Sequence, residues 1–127
     1  MKNQEIGKLT EFKAAQIFAK HGYWVYQCPK TPEGQPADLI VAKDNKITLV
    51  EVKHCDGDRF SLQRVEPNQF TAYKFFKSKG NKSHKILIQF KSGICLLDFQ
   101  HIYIRKKLGV KSITFLDAQE LGEILDE

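Results

Sequence analysis

The stretch that decides the fold is Gln35-Pro36-Ala37-Asp38-Leu39-Ile40-Val41-Ala42-Lys43-Asp44-Asn45-Lys46-Ile47-Thr48-Leu49-Val50-Glu51-Val52-Lys53. Two β-branched, apolar runs, Leu39 to Ala42 and Ile47 to Val52, flank a polar tip of turn formers, the pattern of a β-hairpin. With Asp44-Asn45 as the turn, Ile40 faces Leu49 and Asp38 faces Glu51. With Asn45-Lys46 as the turn, Asp38 faces Lys53. In both registers Asp38, Glu51 and Lys53 share a face, because side chains alternate with period two. A three-residue loop with a bulge would break that parity.

Directly opposed carboxylates destabilise a sheet by a few tenths of a kcal/mol or more, on the order of 0.2–1. A hard divalent cation between them reverses the sign, and Mg²⁺ takes carboxylate, water and phosphate oxygens. Lys53 would set a positive charge beside such an ion, where it can orient an attacking water. The alternative is that Glu51 and Lys53 are the wet face of a half-buried strand.

At 127 residues the chain, 1–127, reads as one domain with a single core, and 42% hydrophobic with 11% aromatic residues excludes a disordered chain. No apolar run is long enough to span a membrane and no signal-peptide core is visible, so an intracellular protein is expected. Cys28, Cys55 and Cys95 are odd in number and lack zinc-site spacing, which suggests reduced thiols. The net charge is +5, and residues 1–116 carry all 20 Lys and Arg but only ten of the 15 Asp and Glu. That asymmetry favours a polyanionic partner.

Residues 4–21 have helical periodicity, with Ile6, Leu9, Phe12, Ala15 or Gln16, and Ala19 as the apolar stripe, widened by Ile17 and Phe18. Tyr23 to Gln27 reads as an aromatic strand that packs the helix onto the sheet edge, with Trp24 as core or edge cover. Residues 29–36 form a Pro/Gly loop in which Lys30 and Gln35 can meet phosphates. Beyond Lys53 the polar loop 54–59, ending in Arg59, suits the mouth of a cleft. After a short transition, 60–65, a helix is expected from Pro67 to about Lys79, capped by Gly80. Gln69 and Tyr73 share one face of it. Residues 84–90 and 94–99 read as two strands joined at Lys91-Ser92-Gly93. Over 100–108 the signals conflict: Ile102-Tyr103-Ile104 favours a strand and Arg105-Lys106-Lys107-Leu108 a helix end, and the balance favours a helix. A short strand at 112–115 and a closing helix over 118–125 complete the chain. That helix would start at Asp117-x-x-Glu120 and bury Leu121, Ile124 and Leu125.

Asp38, the hydrophobic hairpin and Glu51-Val52-Lys53 together resemble the signature of the PD-(D/E)XK nuclease superfamily, although here Ala37 separates Pro36 from Asp38. Gly7-x-x-x-Glu11 resembles the first-helix acid of Holliday-junction resolvases in that superfamily. Gln69-x-x-x-Tyr73 resembles an element of RecB-like nucleases, and a glutamine at this point also occurs in RecU-like and archaeal resolvases and in the virus-type replication-repair (VRR-NUC) nucleases. The runs His84 to Phe90 and Cys95 to Phe99 resemble the strand pair of RecU-type resolvases, the best-matching subfamily. The chain has no room for their inserted stalk between the first helix and Asp38.

The resemblance implies an α/β restriction-endonuclease-like αβββαβ core, a mixed central sheet flanked by helices. It implies a DNA endonuclease dependent on Mg²⁺, for which Mn²⁺ can substitute. The ion would be held by Asp38, Glu51 and the Val52 carbonyl, with Glu11 as auxiliary acid, Lys53 at the water and Gln69 orienting substrate or water. Lys30, Gln35, Arg59 and Tyr73 would contact the nucleic acid. The implied substrate is branched or four-way-junction DNA and the implied assembly a homodimer. The implied setting is cytoplasmic, in a bacterial, archaeal or phage-encoded protein. Two alternatives stay open: a VRR-NUC-like or RecB-like enzyme acting on flaps or ends, and a non-catalytic DNA-binding protein on the same fold.

Overall fold

The computed structural model describes residues 2–126; Met1 and Glu127 lie outside the described residues. The elements run α1 (Asn3–Lys20), β1 (Trp24–Gln27), β2 (Leu39–Lys43), β3 (Lys46–His54), β4 (Arg59–Ser61), a 3-10 turn (Leu62–Arg64) and α2 (Pro67–Ser78). They continue with β5 (His84–Gln89), β6 (Ile94–Asp98), α3 (Phe99–Lys107), β7 (Ser112–Thr114), α4 (Phe115–Leu121) and β8 (Glu123–Leu125). Six strands form one mixed sheet in the order β1-β2-β3-β5-β6-β8, and β4 pairs with β7 in a separate two-stranded sheet. In the large sheet β3 and β5 are parallel and the other pairs antiparallel. A parallel pair needs a crossover, which β4, the 3-10 turn and α2 supply.

The hairpin register is settled by its turn. Asp44 and Asn45 both have positive φ, 52° and 65°, the geometry of a two-residue type I′ turn that Asn and Asp tolerate. Leu39 therefore pairs with Val50, Ile40 with Leu49 and Lys43 with Lys46. From this register the alternation sorts the central strands onto two cores. Val50, Val52, Leu87 and Leu96 join Ala14, Ile17 and Phe18 of α1 on one face. Ile86, Ile88, Cys95 and Leu97 join Tyr73 of α2 and Phe99 and Ile102 of α3 on the other. Glu51 lies between Val50 and Val52, so it belongs to the second face.

Three expectations from the sequence are corrected. The buried stripe of α1 is Thr10, Ala14, Ile17 and Phe18, while Leu9 and Phe12 are exposed. A threonine can sit in that stripe because its hydroxyl donates to the Ile6 carbonyl at 2.8 Å. Trp24 is neither core nor cover: it is 61% exposed and stacks on Tyr26 along the edge strand. At the C-terminus the helix starts three residues early. Thr114 is its N-cap, accepting from Asp117 N at 3.1 Å while Asp117 Oδ2 accepts from Thr114 N at 2.9 Å. The helix ends before Gly122, and Glu123–Leu125 pairs with β6 as a strand, Ile124 opposite Cys95. Gly122 permits this because any Cβ there would collide with the Leu96 carbonyl oxygen.

Candidate active site

Asp38 stands where the Pro/Gly loop becomes β2, and backbone bonds fasten it on two sides. Its N–H donates to the Val50 carbonyl at 3.1 Å and its carbonyl accepts from Cys28 N at 2.9 Å. Its carboxylate replaces the next rung of the ladder: Oδ2 accepts from Val52 N at 2.8 Å. In a strand the N–H and C=O of one residue point to the same side, so the Val52 carbonyl faces the same gap. Asp38 is 7% exposed and Glu51 only 2%. Two buried carboxyl groups thus share the α2 face of the sheet, as the register requires.

The surroundings of Glu51 favour its neutral form. Burial first, and the Asp38 charge second, push its carboxyl up to about 8, while the Lys53 ammonium pulls the other way. Gln69 Nε2 donates to Glu51 Oε2 at 2.8 Å. The other end of that amide is fixed by the start of α2: Gln69 Oε1 accepts from Glu66 N at 2.8 Å. A helix-terminal N–H must be satisfied, and meeting it with the amide oxygen leaves the NH₂ aimed at Glu51. The helix N-terminus thereby orients the side chain beside the acid.

Lys53, half-buried on the same face, donates to the Arg64 carbonyl at 3.1 Å. The Arg64 guanidinium in turn donates to the His54 carbonyl, tying the 3-10 turn to the end of β3. Glu11 approaches from α1, its side chain 19% exposed, and forms an ion pair with Lys30 at 2.9 Å. Burial raises the Glu11 carboxyl, the Lys30 hydrogen bond opposes this, and the Asp38 charge adds to the rise. The result is a polar cavity of about 270 Å³ lined by Glu11, Asp38, Glu51, Val52, Lys53 and Gln69, with Lys30, Gln35, Glu66 and Asn68 at its margin.

All five residues expected to be catalytic therefore meet in one pocket. Of the four expected nucleic-acid contacts, Lys30 and Gln35 reach it, but as partners of Asp38 Oδ1, at 2.8 and 3.4 Å. Tyr73 does not: it is 5% exposed, and its ring packs on His84, Phe99 and Tyr103. Four residues along α2 from Gln69, it is one turn deeper under the helix. Arg59 does not reach the pocket either; it is exposed on β4 and donates to Ser112 Oγ at 2.8 Å. Sequence reasoning missed the Lys30 bridge and the Arg64 and Glu66 backbone contacts. The Arg64 and Glu66 contacts use main-chain atoms, which every residue type carries, so no sequence signal marks them.

The donor set suits a hard divalent cation: two buried carboxyls and a carbonyl, all oxygen, with a third carboxylate nearby. An acid pushed toward its neutral form by burial, and further by a neighbouring carboxylate, is relieved by a positive ion. Among the described residues no three or more His, Cys, Asp or Glu side chains are gathered closely enough to hold a metal by themselves. An ion here would rest on the Asp38 and Glu51 carboxylates and the Val52 carbonyl, with waters completing its shell. The three cysteines are buried free thiols.

No protein-family model matches the chain, and no curated protein matches it by sequence. In structure it is similar to Hjc of Archaeoglobus fulgidus, a Holliday junction resolvase from an archaeal hyperthermophile. The TM-score is 0.65 and the identity 13%, over 91% of this chain and 88% of that one. The chain thus shares the mixed α/β fold of that protein, with the acid pocket where β2 begins beside the later half of β3.

Proposed function

We propose that the protein is a metal-dependent DNA endonuclease that resolves four-way junctions. One observation carries this reading: Glu11, Asp38, Glu51, Lys53 and Gln69, drawn from four separate segments, converge on one polar pocket of a fold shared with a Holliday junction resolvase. Asp38, Glu51 and the Val52 carbonyl would hold Mg²⁺, or Mn²⁺ in its place. When bound, the ion supplies charge for the scissile phosphate and acidity for the attacking water. The chain's own groups do the rest. Lys53, anchored on the Arg64 carbonyl, is positioned to hold the water and to stabilise charge developing on the phosphate. Gln69, bonded to Glu51 Oε2, would orient that carboxylate as a ligand, and Glu11 adds negative charge at the pocket wall. Cutting two opposed strands needs two sites, which a C2 homodimer supplies. An apolar groove of about 410 Å³ beside the pocket, walled by Pro36, Leu49, Ala72 and Phe76, offers a surface for the second copy. Phe75, 65% exposed, stands at its rim. Among the described residues no helix is long and apolar enough to cross a membrane.

The test is cleavage of end-labelled four-way junctions, flaps and linear duplex with Mg²⁺ or Mn²⁺ against EDTA. Paired symmetrical nicks across the junction, abolished by EDTA and by Asp38→Ala, are expected. Cutting confined to flaps or ends would replace the substrate class. Tight junction binding with no cutting of any substrate would overturn the chemistry.

A further inference from the structure

Lys30 is the second cation at the pocket. Its ammonium stands 2.9 Å from Glu11 Oε2 and 2.8 Å from Asp38 Oδ1, joining α1 to the start of β2. Asp38 Oδ2 is committed to the Val52 N–H, so Oδ1 is the oxygen left for an ion, and Lys30 occupies it. Mg²⁺ sits about 2.0–2.1 Å from its oxygens. An ammonium bonded to the same oxygen would face the ion across a few ångströms as a like charge. The two cannot share Oδ1 without a large loss.

One of them can move. Lys53 is carried on the central strand and held by the Arg64 carbonyl. Lys30 is carried on the loop between β1 and β2, outside either strand, and its side chain is 50% exposed. The loop turns at Gly34, with φ of +87°, and is closed by Gly34 N donating to the Thr31 carbonyl at 3.0 Å. Lysine's flexible four-carbon stem lets the ammonium leave Oδ1 without the backbone moving.

Building on the nuclease reading above, we propose that Lys30 is an internal counter-ion that a divalent cation displaces from Asp38. The freed ammonium then turns outward to bind a phosphate oxygen of the incoming strand. Without metal, Lys30 neutralises Glu11 and Asp38 and keeps the pocket assembled. When the ion arrives, the same charge passes from the ligands to the substrate. Metal loading and phosphate binding are thereby coupled through one side chain. Metal affinity is lowered by the cost of breaking the ion pair.

The full chain is titrated with Mn²⁺ by calorimetry and melted in EDTA and in Mn²⁺, as wild type, Lys30→Met, Lys30→Arg and Asp38→Asn. Lys30→Met is expected to melt below wild type in EDTA and to bind Mn²⁺ about 5- to 20-fold more tightly, the size of a typical linkage between two ligands. Lys30→Arg, which keeps the charge, is expected to bind no more tightly than wild type. Amine acylation of wild type, mapped by peptide, is expected to label Lys30 faster in Mn²⁺ than in EDTA; this readout needs no variant to fold. Metal binding that is lost in Asp38→Asn but unchanged in Lys30→Met, or equal Lys30 labelling in both conditions, would overturn the counter-ion role alone. Wild type that binds no Mn²⁺, or Asp38→Asn that binds it normally, would overturn the nuclease reading as well.

Discussion

Two lysine–aspartate pairs of almost equal length sit in different parts of the fold. Lys30 meets Asp38 at 2.8 Å, and Lys85 meets Asp98 at 3.0 Å. Their settings differ. Asp98 is 55% exposed and its partner stands directly across the β5–β6 ladder, so water screens both charges. Such a pair contributes roughly 0–1 kcal/mol. Asp38 is 9% exposed at its side chain, is bound by a backbone N–H, and adjoins a second buried carboxyl. There the lysine offsets part of the cost of burying like charges. Distance alone does not separate a surface ornament from a working site; desolvation and the neighbouring charge do.

The comparison is broken most directly by Asp38→Asn set against Asp98→Asn. The first is expected to remove Mn²⁺ binding and to lower junction cleavage by at least about 10³-fold, the scale of losing a main electrostatic stabiliser. The second should leave both unchanged. Calorimetry and cleavage assays decide it, and equal behaviour of the two variants would erase the distinction.

A pH series sharpens the contrast. Native Glu51 holds its proton up to about 8, whereas the unfolded chain releases it near 4.5. Between those values the native state binds more protons, so stability in EDTA falls as pH rises through the window. Glu51→Gln should flatten that decline, and Mg²⁺ should counter it in wild type by favouring the ionised form. His84 has the opposite sign. Burial lowers it to about 4, and among the described residues neither ring nitrogen has a hydrogen-bond partner. Its contribution is present above about 6.5 and lost as pH falls toward 4. Thermal melts of Glu51→Gln should therefore still weaken on the acid side, and His84→Phe should reduce that loss.

Smaller effects come from groups that act through the carboxylates. Gln69→Leu removes the donor to Glu51 Oε2 and should weaken Mn²⁺ binding about 10- to 100-fold, as loss of a ligand-orienting partner does. Gln69→Glu should be worse, since it replaces the donor with a further carboxylate against buried Glu51. Smallest of all, Lys85→Ala and Asp98→Ala should each shift stability by under about 1 kcal/mol, with little coupling in a double-mutant cycle. A strong coupling there would mean that exposure is a poor guide in this sheet.

Much of the site was legible because it rests on short-range rules. Asp44-Asn45 is a turn that fits one hairpin register, and period-two alternation then carries Asp38, Glu51 and Lys53 to one face. The start of α2 at Pro67 follows from its N-terminal proline, and Gln69 two residues on falls beside Glu51. Illegible were the features joining segments far apart in sequence. The strand at 112–114 was legible, but its partner at 59–61 and the pairing of Phe60 with Ile113 were not. The last three described strand residues looked helical by apolar spacing, yet β6 offered a free edge and Gly122 allowed the approach. Tyr73 shared a helical face with Gln69, but depth under the helix separated core from pocket.

By itself the sequence determined which residues carry the acids, in what order and on which side of the hairpin, since backbone sterics and alternation act over a few residues. Only the tertiary structure decided what each acid meets. That depends on desolvation and charge brought together from α1, the β1–β2 loop, β3 and α2. The same folding that buried Glu51 beside Asp38 set Lys30 between Asp38 and Glu11. No local pattern encodes that juxtaposition, because its energy is a sum over groups the chain brings together only on closing its core.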